Sequence, residues 1–341
     1  MKKGQPLEPM LQKINEDSKI KKDYIVNLKS LSASSGEEVY PVLNAGKEHS
    51  GVLNDYALGK LCGKLKIERN YIRKCLPFKE VVNYNINHWI ANTKDRQLMV
   101  RQSGNTVRAI LSDRYKRLDN DLVANKTLDK LMDMGATIKY GSYNRDQLNL
   151  TAVLPKLEGE VEKDDIVQGG VTITNCEVGT QSLLIQPFIY RLVCTNGMVA
   201  PSLLNRFFQR HVGKIIIHPE KDTQWVSIID KMQKQIELVS NPKVFQENLQ
   251  KLKDATNEKI TSHKIVEVTK KHGITDYERK EIFERLEHYV GDTFTTSKYD
   301  FANAITNVAN SDDSSDDRAR FLQELGGLII FAHNPNVARL R

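Results

Sequence analysis

The chain has 341 residues, of which 27% are charged, and its 50 Lys and Arg against 43 Asp and Glu leave a net charge of +7. That length allows two domains, or one large domain with a helical appendage. No run of roughly eighteen apolar residues occurs and no apolar segment follows the two N-terminal lysines, so neither a transmembrane helix nor a signal peptide is expected, and the cytoplasm is the expected location. The four cysteines, Cys62, Cys75, Cys176 and Cys194, form no C-x-x-C pair, which reads as isolated thiols rather than a zinc knuckle or redox pair.

Residues 1–45 are polar and lysine-rich, with a Ser-Ala-Ser-Ser-Gly break, and read as a flexible arm that orders against a partner. Over 55–76, Leu58, Leu61, Leu65 and Ile67 recur at helical spacing, and Pro77 closes the segment. A second short helix is expected over 82–91, with Trp89 packed inward. The runs 98–101 and 107–111 flank Ser103-Gly104-Asn105, a turn sequence that favours positive φ, and predict a hairpin. Asp119 or Asn120 caps a helix running to Met134, which Gly135 ends. Strands are expected within 137–155, 166–177 and 182–194, separated by a charged exposed loop at 156–165. Beyond Pro219, Lys, Gln and Glu alternate with apolar residues at helical spacing over 220–290. That segment looks too polar for one deep core, so part of its apolar stripe is expected to meet another subunit. Asp316 and Asp317 read as the acidic start of a last helix.

The familiar catalytic signatures are missing. There is no G-x-x-x-x-G-K-[ST], G-x-G-x-x-G, H-E-x-x-H or G-x-S-x-G. The pairs His211/His218 and His263/His272 do not share a helix face, and Glu158, Glu160 and Glu162 sit in a charged linker. No cofactor and no metal site is expected from these patterns.

Basic residues are the distinctive feature. Arg101, Arg108, Arg114, Lys116 and Arg117 cluster around the hairpin, and ten basic against five acidic residues lie between Arg96 and Arg145. The stretch Ser182 to His218 contains Arg191, Arg206, Arg210 and Lys214 and no acid at all, a surface that does not repel phosphate. Strand arginines can follow a phosphate backbone, and Tyr115, Tyr140, Tyr143, Tyr190 and Phe208 are candidate platforms for unstacked bases. Each has a structural alternative: Tyr115 as a core aromatic, Arg114 paired with Asp113 or Asp119. Arg191 lies between Ile189 and Val193 on one strand face, where its fixed charge needs an anion, either a phosphate or a distant carboxylate of the chain.

The segment Thr106 to Asn120 (TVRAILSDRYKRLDN) resembles the phage/plasmid-like protein family, catalogued as a domain of unknown function. Arg191-Leu192-Val193-Cys194-Thr195-Asn196, then Arg206, Arg210 and His211, and Asn303-Ala304-Ile305-Thr306 are similar to further motifs of that family. The resemblance spans roughly residues 50 to 330, implies a mobile-element origin, and suggests a fold-level likeness to ring-forming single-strand annealing proteins of phages. It transfers no catalytic residues.

The expected architecture is α+β: an antiparallel sheet with helices packed on one side over 46–218, then a helical C-terminal region over 219–341. The expected function is non-covalent binding and annealing of single-stranded nucleic acid, most simply DNA, by a homo-oligomer in phage or plasmid recombination or replication. The site would comprise Arg101, Arg108, Arg114, Tyr115, Lys116, Arg117, Arg191, Arg206, Arg210 and Lys214. The alternatives are a phage-encoded module that docks on a host protein, and a metal-dependent nucleic-acid enzyme whose carboxylates are scattered in sequence.

Overall fold

The computed structural model describes residues 4–46, 49–193, 195–200, 207–211, 223–290, 295–311 and 314–332. It is an α+β protein with two mainly antiparallel six-stranded sheets and a helical C-terminal region.

The N-terminal segment is structured, not a loose arm. Helix α1 (Leu7–Lys19) buries Met10 and Ile14, one turn apart on its inner face. Strands β1 (Lys21–Asn27), β2 (Leu31–Ser34), β3 (Val42–Ala45) and β4 (His49–Leu53) follow. All seven residues of β1 pair with β5 (Gln97–Ser103), aligning Asp23 with Arg101. The polar sequence of 1–45 is that of an edge strand and a surface helix, whose order comes from long-range pairing.

Between the strands, helix α2 (Asp55–Leu65) is capped by Asn54, whose side chain accepts from Ala57 N at 2.7 Å. Lys66, at φ +59°, ends it, so the helical spacing read over 55–76 is split between α2 and α3 (Arg69–Cys75). Helix α4 (Lys79–Asn92) buries Val82, Ile86 and Ile90. Trp89 is 43% exposed, because the buried stripe falls on the neighbouring face.

The expected hairpin is present: β5 and β6 (Thr106–Ser112) meet at Gly104, whose φ of +54° favours a residue without Cβ. The first sheet runs β1-β5-β6-β4-β3-β2, all antiparallel except for the β4–β6 pair. One face packs on α2 to α4 through Leu58, Leu61, Ile86, Val100 and Ile110.

Helix α5 (Asn120–Asp133), ended by Gly135 at φ +71°, leads to β7 (Thr137–Asn144), β8 (Gln147–Glu160), β9 (Ile166–Cys176), β10 (Leu183–Arg191), β11 (Asn196–Val199) and β12 (Phe207–Gln209). The second sheet runs β11-β10-β9-β8-β7, with β12 also paired to β10. The segment 156–165 is not an exposed loop: β8 continues through Glu160, and Leu157 and Val161 are buried.

The C-terminal region comprises α6 (Thr223–Val239), α7 (Pro242–Asn257), β13 (Lys259–Thr261), α8 (Ser262–Lys271), α9 (Asp276–Val290), β14 (Thr295–Ser297), α10 (Lys298–Val308) and α11 (Asp316–Phe331), with Ser315 capping α11 and Asp316 and Asp317 in its first turn. These helices do not form a body of their own. Ile228, Met232 and Ile236 of α6 join Leu128 of α5 and Ile185 of β10 in one core. Leu249, Leu252, Ile265, Ile282 and Leu286 share another with Leu157, Val167 and Met198. The core is therefore continuous across 218, and helices cover the second sheet on more than one side. The apolar stripe of 220–290 is largely buried within its own chain rather than held for another subunit.

Candidate functional site

Where the first sheet meets the second, four cations and four carboxylates interlock. Arg101, fully buried, holds Asp23 with Nε and Nη2 at 2.9 Å each, donates Nη1 to the Glu177 carbonyl at 2.8 Å, and reaches Asp119 with Nη2. Arg108 donates Nη1 to Asp146 at 2.8 Å and to Glu177 Oε2 at 3.0 Å. Lys21 meets Glu177 Oε1 at 2.6 Å, and Arg117 meets Asp23 at 3.2 Å. Burial pushes the Glu177 carboxyl up, and the charge of Asp119 adds to this. Burial acts the same way on Asp119, but Arg101 outweighs it and holds that carboxyl below its ordinary range.

These residues cannot form a phosphate surface, because carboxylates of the same chain already occupy them. A β-bulge sets the direction of Arg108. Arg101 pairs with Ala109 and Gln102 with Val107, so Arg108 is the extra residue of β6. The bulge turns it away from Ile110, which lies in the first sheet's core, and onto the side that holds Glu177.

Arg191 is also structural. Its Nε meets Asp165 at 2.6 Å, and its guanidinium lies 5.5 Å from the Tyr299 ring centre, while the Tyr299 hydroxyl donates to the other Asp165 oxygen at 2.8 Å. Asp165 is a distant carboxylate, the second of the two partners open from sequence. Arg191→Gln should cost about 1.5–3 kcal/mol, the range for a hydrogen bond to a charged group. Urea unfolding measures this, and a cost below about 0.5 kcal/mol, within the usual range of surface substitutions, would refute the role.

Three other expected residues, Tyr115, Lys116 and Arg210, gather around a cleft. It has a volume of about 590 Å³ and lies between the end of β6, the β9–β10 turn, α2, α11 and residues 208–211. Lys60 and Lys64 of α2, Arg210, and Arg320 of α11 bring positive charge to its walls, and Glu324 is the acid among the lining residues. Lys64 is held below its ordinary pKa by burial and by the nearby charges of Arg96 and Lys60. Phe208, half exposed, lies on one wall, with the Arg210 guanidinium 5.7 Å from its ring centre. Arg320 is steered by Gln181 at 3.0 Å and Asp317 at 3.2 Å.

Tyr115 is buried, and its hydroxyl donates to the Glu177 carbonyl at 2.9 Å. Its ring stacks on His211, with centres 5.1 Å apart and planes within 3°. Gly179, at φ +82°, lets the β9–β10 turn pass close over this ring; a Cβ there would lie 3.3 Å from Tyr115 Cε2. Lys116 is buried beside the pair, and its backbone N–H donates to the His211 carbonyl at 3.1 Å.

Of the ten residues expected from sequence, Tyr115 and Arg210 line the cleft and Lys116 backs it. Arg114 is exposed on the turn after β6 and is not among the lining residues. Arg206 and Lys214 lie outside the described residues. Of the candidate platforms, Phe208 lines the cleft, whereas Tyr143 and Tyr190 are buried elsewhere. Sequence reading missed Lys60, Lys64 and Arg320. The two lysines sit one turn apart on α2, a spacing that a solvated helix face shows equally well.

Compared with protein-family models, curated proteins and solved structures, the chain gives no match. Among the described residues, no group of three or more His, Cys, Asp or Glu could hold a metal ion. No helix among them is long and apolar enough to cross a membrane.

Proposed function

We propose that the protein binds single-stranded nucleic acid, DNA in the simplest case, without covalent chemistry, as a strand-holding or annealing factor of a phage or plasmid. The cleft supports this reading: Lys60, Lys64, Arg210 and Arg320 line it with Glu324 as the acid, and Phe208, half exposed, borders it. Clustered cations repel one another until an anion arrives; burial, with the charges of Arg96 and then Lys60 adding to it, holds Lys64 below its ordinary pKa. The volume falls within the roughly 300–1,000 Å³ of small-ligand sites, so it fits about one nucleotide of a strand rather than a duplex. Phosphate neutralisation with an aromatic contact is the usual basis of sequence-tolerant single-strand binding. The mobile-element context rests on the motif resemblance alone.

Fluorescence anisotropy with labelled single- and double-stranded DNA tests the proposal. Single-strand affinity should fall with salt by about 0.7 log units per log unit of salt for each phosphate contact. Lys60→Glu with Lys64→Glu should weaken binding at least about tenfold at low salt, the scale of one lost charge-assisted contact, and flatten the salt slope. Salt-independent affinity, or a charge-reversed variant that binds normally, would defeat the reading.

A separate surface favours a protein-docking function. Tyr71 of α3, Phe78, and Val81, Tyr84 and Trp89 of α4 are all more than 40% exposed, and His88 stacks on Tyr84 with ring centres 5.8 Å apart. Clustered exposed aromatics are typical of protein interaction sites.

A further inference from the structure

One polar atom at the cleft is unsatisfied. Among the described residues lining it, His211 Nε2 is the single buried side-chain nitrogen or oxygen without a hydrogen-bond partner. The other ring nitrogen, Nδ1, lies 3.3 Å from the Lys116 carbonyl. A carbonyl oxygen only accepts, so Nδ1 carries the proton and Nε2 presents a lone pair. The ring is held from two sides, by Tyr115 stacked on its face and by the backbone bond between Lys116 and His211. The site therefore combines a fixed acceptor with a surrounding set of cations. The phosphodiester of a strand satisfies the cations but carries no O–H to offer the acceptor. A nucleotide can satisfy both, because each nucleobase carries at least one N–H donor on its pairing edge.

We propose that His211 Nε2 accepts a hydrogen bond from the pairing-edge N–H of a base whose phosphate is held by the cleft cations. The inference rests on the nucleic-acid reading above and deepens it: the site would select unpaired bases, since a paired base has already spent that donor. Stacking and charge would then set affinity, and His211 would enforce single-strandedness.

The test uses the full chain and two single-stranded oligonucleotides of equal length, oligo-thymidine and oligo-N3-methylthymidine, which lacks the donor. Wild type should bind oligo-thymidine about tenfold more tightly, equivalent to about 1.4 kcal/mol. His211→Phe, which keeps a ring against Tyr115 but has no acceptor, should bind both equally, at the level wild type shows for the methylated strand. Because the first comparison changes only the ligand, it holds even if the variant folds poorly. Equal wild-type affinity for the two strands, with normal salt dependence, would overturn the role of His211 and leave the nucleic-acid reading standing. Discrimination that persists in His211→Phe would also overturn it. Failure of both strands to bind would overturn both readings.

Discussion

Arg101→Met should destabilise the protein by about 3–5 kcal/mol, the cost of removing one partner from a buried ion pair. Arg101 sits at the centre of the joint between the two sheets, fully buried, with Asp23 and Asp119 on its guanidinium and the Glu177 carbonyl on Nη1. Burial works against its charge, and the charges of Asp119 and Asp23 more than offset it, holding the pKa well above its ordinary value. Methionine fills much of the volume but leaves Asp23 without Arg101 beside Arg117, and Asp119 without its strongest cation. Urea unfolding at neutral pH measures the cost. If the cleft takes DNA as proposed, affinity per folded molecule should stay unchanged, because Arg101 does not line it. A loss below about 1 kcal/mol would mean that the joint is held by its apolar contacts and not by its charges. Those contacts join Met99, Ala109 and Leu111 to Cys176 and Val178.

The elements that were legible in sequence are those whose signal is local. Gly104 and Gly135 marked a hairpin and a helix end because each must adopt positive φ. The C-terminal helices were legible from their 3.6-residue period. Polar strand β1 was not, since its order comes from pairing with β5, seventy or more residues away in sequence. The candidate site failed in sequence for a related reason. A run of arginines shows that cations are present but not which carboxylates face them across the fold. Asp23 lies 78 residues from Arg101, and Glu177 lies 69 from Arg108. The acid-free stretch likewise hid Asp165, 26 residues before Arg191. Counting charge within a window finds cations, while only the fold shows which of them are left for a ligand.

The cleft gathers Lys60, Lys64, Arg210 and Arg320, which take no part in those buried ion pairs, with Arg320 also meeting Asp317 at 3.2 Å. Lys60 and Lys64, both half-buried, flank the face of α2 that buries Ala57, Leu58, Leu61 and Leu65, so the residues that dock the helix also place its lysines. Arg320 reaches the same space from the far end of the sequence, because α11 closes over the second sheet. The fold thus brings together residues more than 250 positions apart, which explains why none of the three stood out.

Acid should weaken the fold through His211. Burial lowers this imidazole from 6.5 to about 4, Arg101 contributes further, and the Lys116 carbonyl opposes them in part. A depressed folded pKa means that the unfolded chain takes up the proton first as pH falls. The contribution is therefore intact above pH 6.5 and is lost progressively down to about pH 4. With these values the loss is about 2 kcal/mol at pH 5, approaching about 3 kcal/mol near pH 4. Other groups titrate in the same range, so the informative quantity is a difference. Urea unfolding of wild type and His211→Phe at pH 7.5, 6 and 5 isolates it. Whatever its absolute stability, the variant should lose about 2 kcal/mol less than wild type between pH 7.5 and pH 5. Parallel curves would mean that His211 titrates near its ordinary value, and so that the ring is far better solvated than its packing against Tyr115 implies. If the cleft takes a strand as proposed, saturating oligo-thymidine should protect wild type across this window. The strand binds the folded chain only, and over this window the folded imidazole is neutral and able to accept from the base.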